Sequence, residues 1–302
     1  MRVLVIGASG AVGAHITRQL TERGAEVTGT SRSAQKNDRI RSLGATPVVL
    51  DVLDGAATRA VLADIRPDAV IYQATALAGS RFGRSLDKTF APTNRLRTDG
   101  TDNVIAAARS AGVGKLVAQS FAPYRYASPE PVASEDAPLL AAPPASAAVT
   151  FAAMAHLDAA VTAAGGIALR YGGFYGAPDQ MTAAVARRQY PLVGDGRGMM
   201  SFIHLHDAAA ATVAALEADG PAIYNITDDE PAPMREWLPV LASALGARPP
   251  RRVPEWIARL IMGSGLSMAT EARGASNTKA KKELGWVPRY PTWREGFATI
   301  AG

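Results

Sequence analysis

The feature that most constrains this chain is its first thirteen residues, Met1-Arg-Val-Leu-Val-Ile-Gly7-Ala-Ser-Gly10-Ala-Val-Gly13. Val3 to Ile6 is a continuous aliphatic run, the pattern of a strand covered on both faces, and it stops at Gly7. From Ala11 the pattern is helical, with Ile16 and Leu20 four apart and Gly24 placed to end the helix. Gly7 permits a sharp turn at the strand end, Gly10 lets the backbone approach a pyrophosphate, and Gly13 lets the helix pack on the sheet. The helix N-terminus then offers free N–H groups to phosphate, so Gly7, Ser9, Gly10, Ala11, Val12 and Gly13 are read as a dinucleotide turn.

The second strand, Glu26 to Thr30, decides which dinucleotide. An NAD-binding chain places a carboxylate near its end, to hold the ribose 2′-hydroxyl. Here Ser31 and Arg32 follow instead, which suits a 2′-phosphate; NADP(H) is preferred and NAD(H) possible. Thr46 to Leu50 reads as a third strand and ends at Asp51, which with Val52 resembles an adenine-edge contact. Ala69 to Tyr72 reads as a fourth, followed by Gln73, Ala74 and Thr75, where small residues let the chain pass the cofactor. A helix over Thr98 to Ala111 and a strand from Lys115 to Ala118 continue the alternation. The fold class is α/β: a Rossmann doubly wound parallel sheet.

Composition narrows the chemistry. Without cysteine there is no disulfide framework, thiolate nucleophile or cysteine metal site. The first apolar run is too short for a signal peptide and no run could cross a bilayer, so a cytoplasmic protein with no membrane partner is expected. The net charge of +5 includes two clusters, Arg248, Arg251 and Arg252, and Lys279, Lys281 and Lys282. No aromatic platform accompanies them, so they read as solvated surface and no nucleic acid is expected.

Further motifs extend over nearly the whole chain. After the glycine turn and Asp51 come Asn94 ahead of Gly100-Thr-Asp-Asn-Val104, then Leu169-Arg170-Tyr-Gly-Gly-Phe-Tyr175-Gly176, Phe202-Ile-His204-Leu-His206-Asp207 and Tyr224-Asn225-Ile226. Together they resemble the extended short-chain dehydrogenase/reductases, in the NAD(P)-dependent epimerase/dehydratase branch. The resemblance implies a Rossmann domain over 1–177, joined by part of 204–228, and a smaller, mostly helical substrate-binding region over 178–302. It also implies cofactor contacts at Ser120, Tyr171, Gly172 and Phe174, and a substrate pocket with Ala122, Tyr175 and His204. A homodimer is implied too, pairing the helices Thr98 to Ala111 and Phe151 to Ala164.

The family's catalytic groups do not carry over. A Tyr-x-x-x-Lys pair on one helix face normally exchanges a proton and holds the nicotinamide ribose. Aligned on Asp158, the tyrosine position is Thr150 and the lysine position Met154; the serine position falls near Phe121 or Ala122. Tyr124 or Tyr126, on the loop after the fifth strand, is the expected proton source. His156 is expected to face away from the cofactor. His204 and His206 are read as sharing a strand face, without a third metal ligand, so no metal is expected. Residues 127–147, with five prolines, read as a loop of the kind that closes over an active site. The expected activity is NADP(H)-dependent oxidoreduction or epimerase-like chemistry on a small organic substrate. A non-redox isomerase, lyase or cyclase, or a nucleotide sensor without turnover, stays open.

Overall fold

The computed structural model describes residues 1–77, 85–262 and 266–300. Seven strands form the central sheet: β1 (Arg2–Ile6), β2 (Glu26–Ser31), β3 (Thr46–Val49), β4 (Ala69–Tyr72), β5 (Lys115–Phe121), β6 (Ile167–Tyr171) and β7 (Ala222–Ile226). All neighbours pair in parallel, in the order β7-β6-β5-β4-β1-β2-β3. The order reverses between β1 and β4, which opens a crevice at the strands' carboxyl ends. β1 shows why the sheet is buried on both faces: Val3 and Val5 join one core, Leu4 and Ile6 the other.

Six helices matter for the site: α1 (Ala11–Glu22), α2 (Gly55–Ile65), α3 (Leu86–Arg95), α4 (Thr101–Ser110), α5 (Ala148–Ala163) and α6 (Leu205–Ala215). α1 and α6 cover the Val3 face through Ile16, Leu20, Ala208 and Ala211, while Leu62, Val104 and Leu157 of α2, α4 and α5 cover the other. The helix expected from Thr98 begins instead with a π-turn, Leu96–Gly100. The buried Tyr72 hydroxyl donates to Leu96 O at 2.6 Å, which gives that carbonyl a partner outside the helical ladder.

A smaller C-terminal domain has its own aromatic core, with Tyr175, Phe202, Trp237, Trp293 and Phe297 packed together. Residues 127–147 tie it to the sheet rather than standing free as a lid. Tyr126 bridges Leu139, Val132–Ala133 pairs in parallel with Gly274–Ala275, and Arg273 Nε donates to Ser128 O at 2.8 Å. At the sheet edge, Asn225 N donates to Glu135 Oε1 at 2.6 Å. The segment is therefore a strap, fastened at both ends of its path. No helix among the described residues is long and apolar enough to cross a membrane.

Candidate active site

The glycine turn has the geometry its spacing demands. Gly7 has φ +90°, a conformation that disfavours any side chain, and a Cβ there would lie 3.0 Å from the Gln73 backbone. A Cβ at Gly13 would overlap the Gly7 carbonyl oxygen. Gly10 caps α1 with no side-chain bond, and the first turn holds no acidic residue, so the N–H groups of Ala11, Val12 and Gly13 face the crevice mouth without competition. Ser9, Gly10 and Ala11 are at least partly exposed there, as a ligand contact requires.

At the end of β2, Ser31 donates its hydroxyl proton to Ser33 O at 2.8 Å. Arg32 is exposed, and its guanidinium has no partner among the described residues. Asp51 is exposed and accepts from Leu53 N at 3.1 Å, with Val52 buried beside it. Ala74 and Thr75 are half-buried along the segment that passes Gly7. Gln73 itself is buried, and its amide donates to the Tyr171 hydroxyl at 3.0 Å.

Several residues expected to touch ligand have side chains held by contacts within the protein. Tyr171 is fully buried, its hydroxyl shared with Thr212 and Gln73, so it supports the floor from below. Gly172 packs directly on Phe202 and Ser201 backbone, and Phe174 lies against the Tyr171 ring at 5.4 Å. Ser120 is buried and accepts from Arg125 Nη1 at 3.2 Å. Ala122 is fully buried with Tyr126, Ala133 and Ala275, beneath the strap. Tyr175 belongs to the C-terminal core, edge-on to Phe202 and Phe297.

His204 also turns out to be structural. The strand Phe202–His204 ends there, so His206 lies in α6 and the two do not share a strand face. His204 Nδ1 caps α6 by accepting from His206 N at 3.0 Å, and its ring stacks on Tyr290 at 4.1 Å. Burial holds its pKa down at about 4, the neutral state that an accepting nitrogen requires. His156 is half-buried, with Nε2 2.8 Å from Asp102 Oδ1 on α4.

Thr150 and Met154, at the positions expected for tyrosine and lysine, have unlike surroundings. α5 contains neither tyrosine nor lysine. Thr150 is buried; its hydroxyl donates to Asp87 Oδ1 at 2.7 Å and accepts from Asn94 Nδ2 at 3.0 Å. Met154 is buried with Phe151 and Ala147, against Phe121, Tyr124, Leu86 and Leu140. The two loop tyrosines have opposite surroundings. Tyr126 is buried, gives its proton to Asn225 Oδ1, and accepts from Arg170 Nη1 at 3.0 Å. Tyr124 is half-buried at φ +67°, its ring between the Met154 cluster and the C-terminal core, and its hydroxyl bonds no described residue. Burial pushes the phenol pKa up in both, so both hydroxyls hold their protons at neutral pH.

A charged cluster that no local sequence pattern brings together lies below this loop. Asp158 Oδ2 lies 2.9 Å from both Arg125 Nη2 and Arg170 Nε, all three side chains being buried. Arg97, lifted inward on the π-turn, adds a third buried guanidinium whose Nη1 has no partner. Burial, with Arg125 nearby, brings its pKa down to about 10. A visible signal existed in the sequence: Arg170 and Asp158 sit within otherwise apolar stretches.

Comparison with known proteins fits this geometry. The family model for the NAD dependent epimerase/dehydratase family matches residues 3–227. A 3-diazoavenalumate denitrifying reductase from a Streptomyces species is 41% identical, with 98% of this chain and 99% of the relative covered. A 2-alkyl-3-oxoalkanoate reductase from Stenotrophomonas maltophilia is 30% identical over 82% of this chain and 76% of its own. Among solved structures, a UDP-glucose 4-epimerase from Thermotoga maritima superposes with TM-score 0.78 at 19% identity, covering 100% of this chain and 97% of its own. The chain belongs to the NAD dependent epimerase/dehydratase family.

Proposed function

We propose that the chain is an NADP(H)-dependent reductase that removes the diazo group of an aromatic substrate as dinitrogen. One observation carries the reading: the helix that should hold the proton-transfer pair carries Thr150, bonded to Asp87 and Asn94, and Met154, packed in an apolar cluster, in a chain 41% identical to a diazo-removing reductase. The residues present fit the cofactor, since the space at Gly7 and Gly13 is closed to any Cβ and the α1 N-terminus is uncapped. Ser9 to Gly13 would hold the pyrophosphate, Asp51 the adenosine end, and Arg32 a 2′-phosphate. Bound NADPH supplies a hydride.

The missing acid follows from the chemistry. A carbonyl that gains a hydride becomes an alkoxide and calls for a proton at oxygen. An arenediazonium carbon does not: the hydride pair becomes the new C–H bond, and the C–N pair departs with N₂. Arene, dinitrogen and oxidised cofactor balance the reaction, with no proton taken up. What the protein must do is hold the ring and exclude water. Phe121 and Tyr124, half-buried and backed by the buried Met154, are suited to both tasks, and the Tyr124 face favours a cationic substituent.

Anaerobic turnover of a ¹⁵N-labelled hydroxyarene diazonium tests this, with one labelled N₂ expected per NADPH oxidised. Cofactor oxidation without N₂, or no oxidation, would reject it. A second reading, ketone reduction, rests on the unpartnered Tyr124 hydroxyl and on the oxoalkanoate reductase relative. Tyr124→Phe separates the two: activity within about twofold of the parent for diazo removal, a loss of roughly 10²-fold or more for a ketone. A homodimer through the exposed face of α5, where Val149, Ala152, Ala155 and Ala159 offer a close approach, completes the proposal; light scattering reads it directly.

A further inference from the structure

Residues 124 to 126 are fixed from below. Tyr124 is half-buried between the Met154 cluster and the C-terminal core, whereas Arg125 turns inward and is 1% exposed, among the largest fully buried side chains described. Its guanidinium is held at three places: Asp158 Oδ2 at 2.9 Å, Ser120 Oγ at 3.2 Å and Phe121 O at 3.1 Å. Its own carbonyl accepts from Leu140 N at 2.8 Å, which ties the same residue to the strap. Tyr126 is drawn inward beside it by Arg170 and Asn225. The residue left over takes the strain, and Tyr124 adopts φ +67°, a left-handed backbone rare for an aromatic residue. Such a conformation persists only where the surroundings over-determine it.

We infer that Arg125 is a positioning residue: anchored on Asp158, Ser120 and the strap, it fixes Tyr124 in the left-handed conformation that sets its ring against substrate. This rests on the proposed placement of substrate against Phe121 and Tyr124, and it holds for either the diazo or the ketone reading. Arginine is required because one planar fork must serve a carboxylate, a hydroxyl and a carbonyl together; a lysine ammonium cannot span them in that geometry.

The test is a double-mutant cycle with a structural readout. Arg125→Lys should lower kcat/KM about tenfold or more in the parent, and by less than about twofold when Tyr124 is already alanine, because its effect passes through that ring. NADPH binding should not change. Hydrogen exchange of the Ala122, Ala127 and Leu140 amides, which bond Tyr171 O, Pro138 O and Arg125 O, should quicken in Arg125→Lys. Equal kinetic losses in both backgrounds would make Arg125 merely structural and overturn the inference. So would unchanged exchange, or faster exchange with unchanged kinetics. Should no diazo compound turn over, the functional reading fails by itself; the cycle then runs on a 3-oxo acid, and the exchange measurement needs no substrate. Arg125→Met, if it folds, should reproduce the pattern more strongly.

Discussion

Arg32 and Tyr124 are defined as much by what they do not touch as by what they do. A guanidinium at the end of β2 with no carboxylate nearby is free for a phosphate. Arg32→Ala should therefore weaken NADPH binding about tenfold to a hundredfold, the effect of a charge-assisted bond, while NADH binding shifts less than about twofold; fluorescence titration of each nucleotide measures both. Equal weakening of both would remove Arg32 from the 2′-phosphate. At this scale the glycine turn was legible because the reason for each glycine lies within the first thirteen residues, apart from the close passage of Gln73. Tyr171, Ala122, Tyr175 and His204 were not. Their burial depends on Thr212, Ala275, Phe297 and Tyr290, which local pattern cannot bring to them.

Among elements, α5 shows how a helix can be legible while its fastening is not. Its alanine-rich run has strong intrinsic helix propensity, yet Ala147 at its N-cap position makes no side-chain bond. The cap comes from α3: Asp87 accepts from Val149 N at 3.2 Å, from Thr150 N at 2.8 Å and from the Thr150 hydroxyl. Asp87→Ala should cost about 1–2 kcal/mol, read as a lowered denaturation midpoint, and Asp87→Asn should recover part of it. The strap gives the opposite lesson. Five prolines correctly foretell a loop, but its pairing with Gly274–Ala275 and its Glu135 bond to Asn225 are long-range contacts, so an irregular stretch read as a closing lid is in fact tied down.

For the whole molecule, stability should vary with pH through a group far from the proposed chemistry. Asp228 is 1% exposed at the base of the C-terminal core, with Oδ2 unpartnered. Burial raises its pKa from 3.8 to about 9, opposed by the Glu230 N–H and reinforced by the Glu230 and Asp229 carboxylates. A raised value favours the folded protein while the acid stays protonated. Between about pH 4 and 9 the unfolded chain has lost this proton and the folded one keeps it, so stability falls by up to about 1.4 kcal/mol per pH unit and levels above about 9. Melting curves at pH 6, 7.5 and 9 should show a widening advantage for Asp228→Asn; a constant gap would contradict the shift. The sequence foretold the doubly wound sheet because alternating elements with short connections leave few topologies, whereas the C-terminal core joins Tyr175 to Trp293 and Phe297 across more than a hundred residues of chain. That separation has a consequence for how the protein is made. The turn, the crevice and β1 to β5 leave the ribosome early and can take nucleotide before synthesis ends. The strap beside Tyr124 completes its contacts only when Gly274 and Ala275 emerge. A nascent chain can thus hold its cofactor long before it can place a substrate.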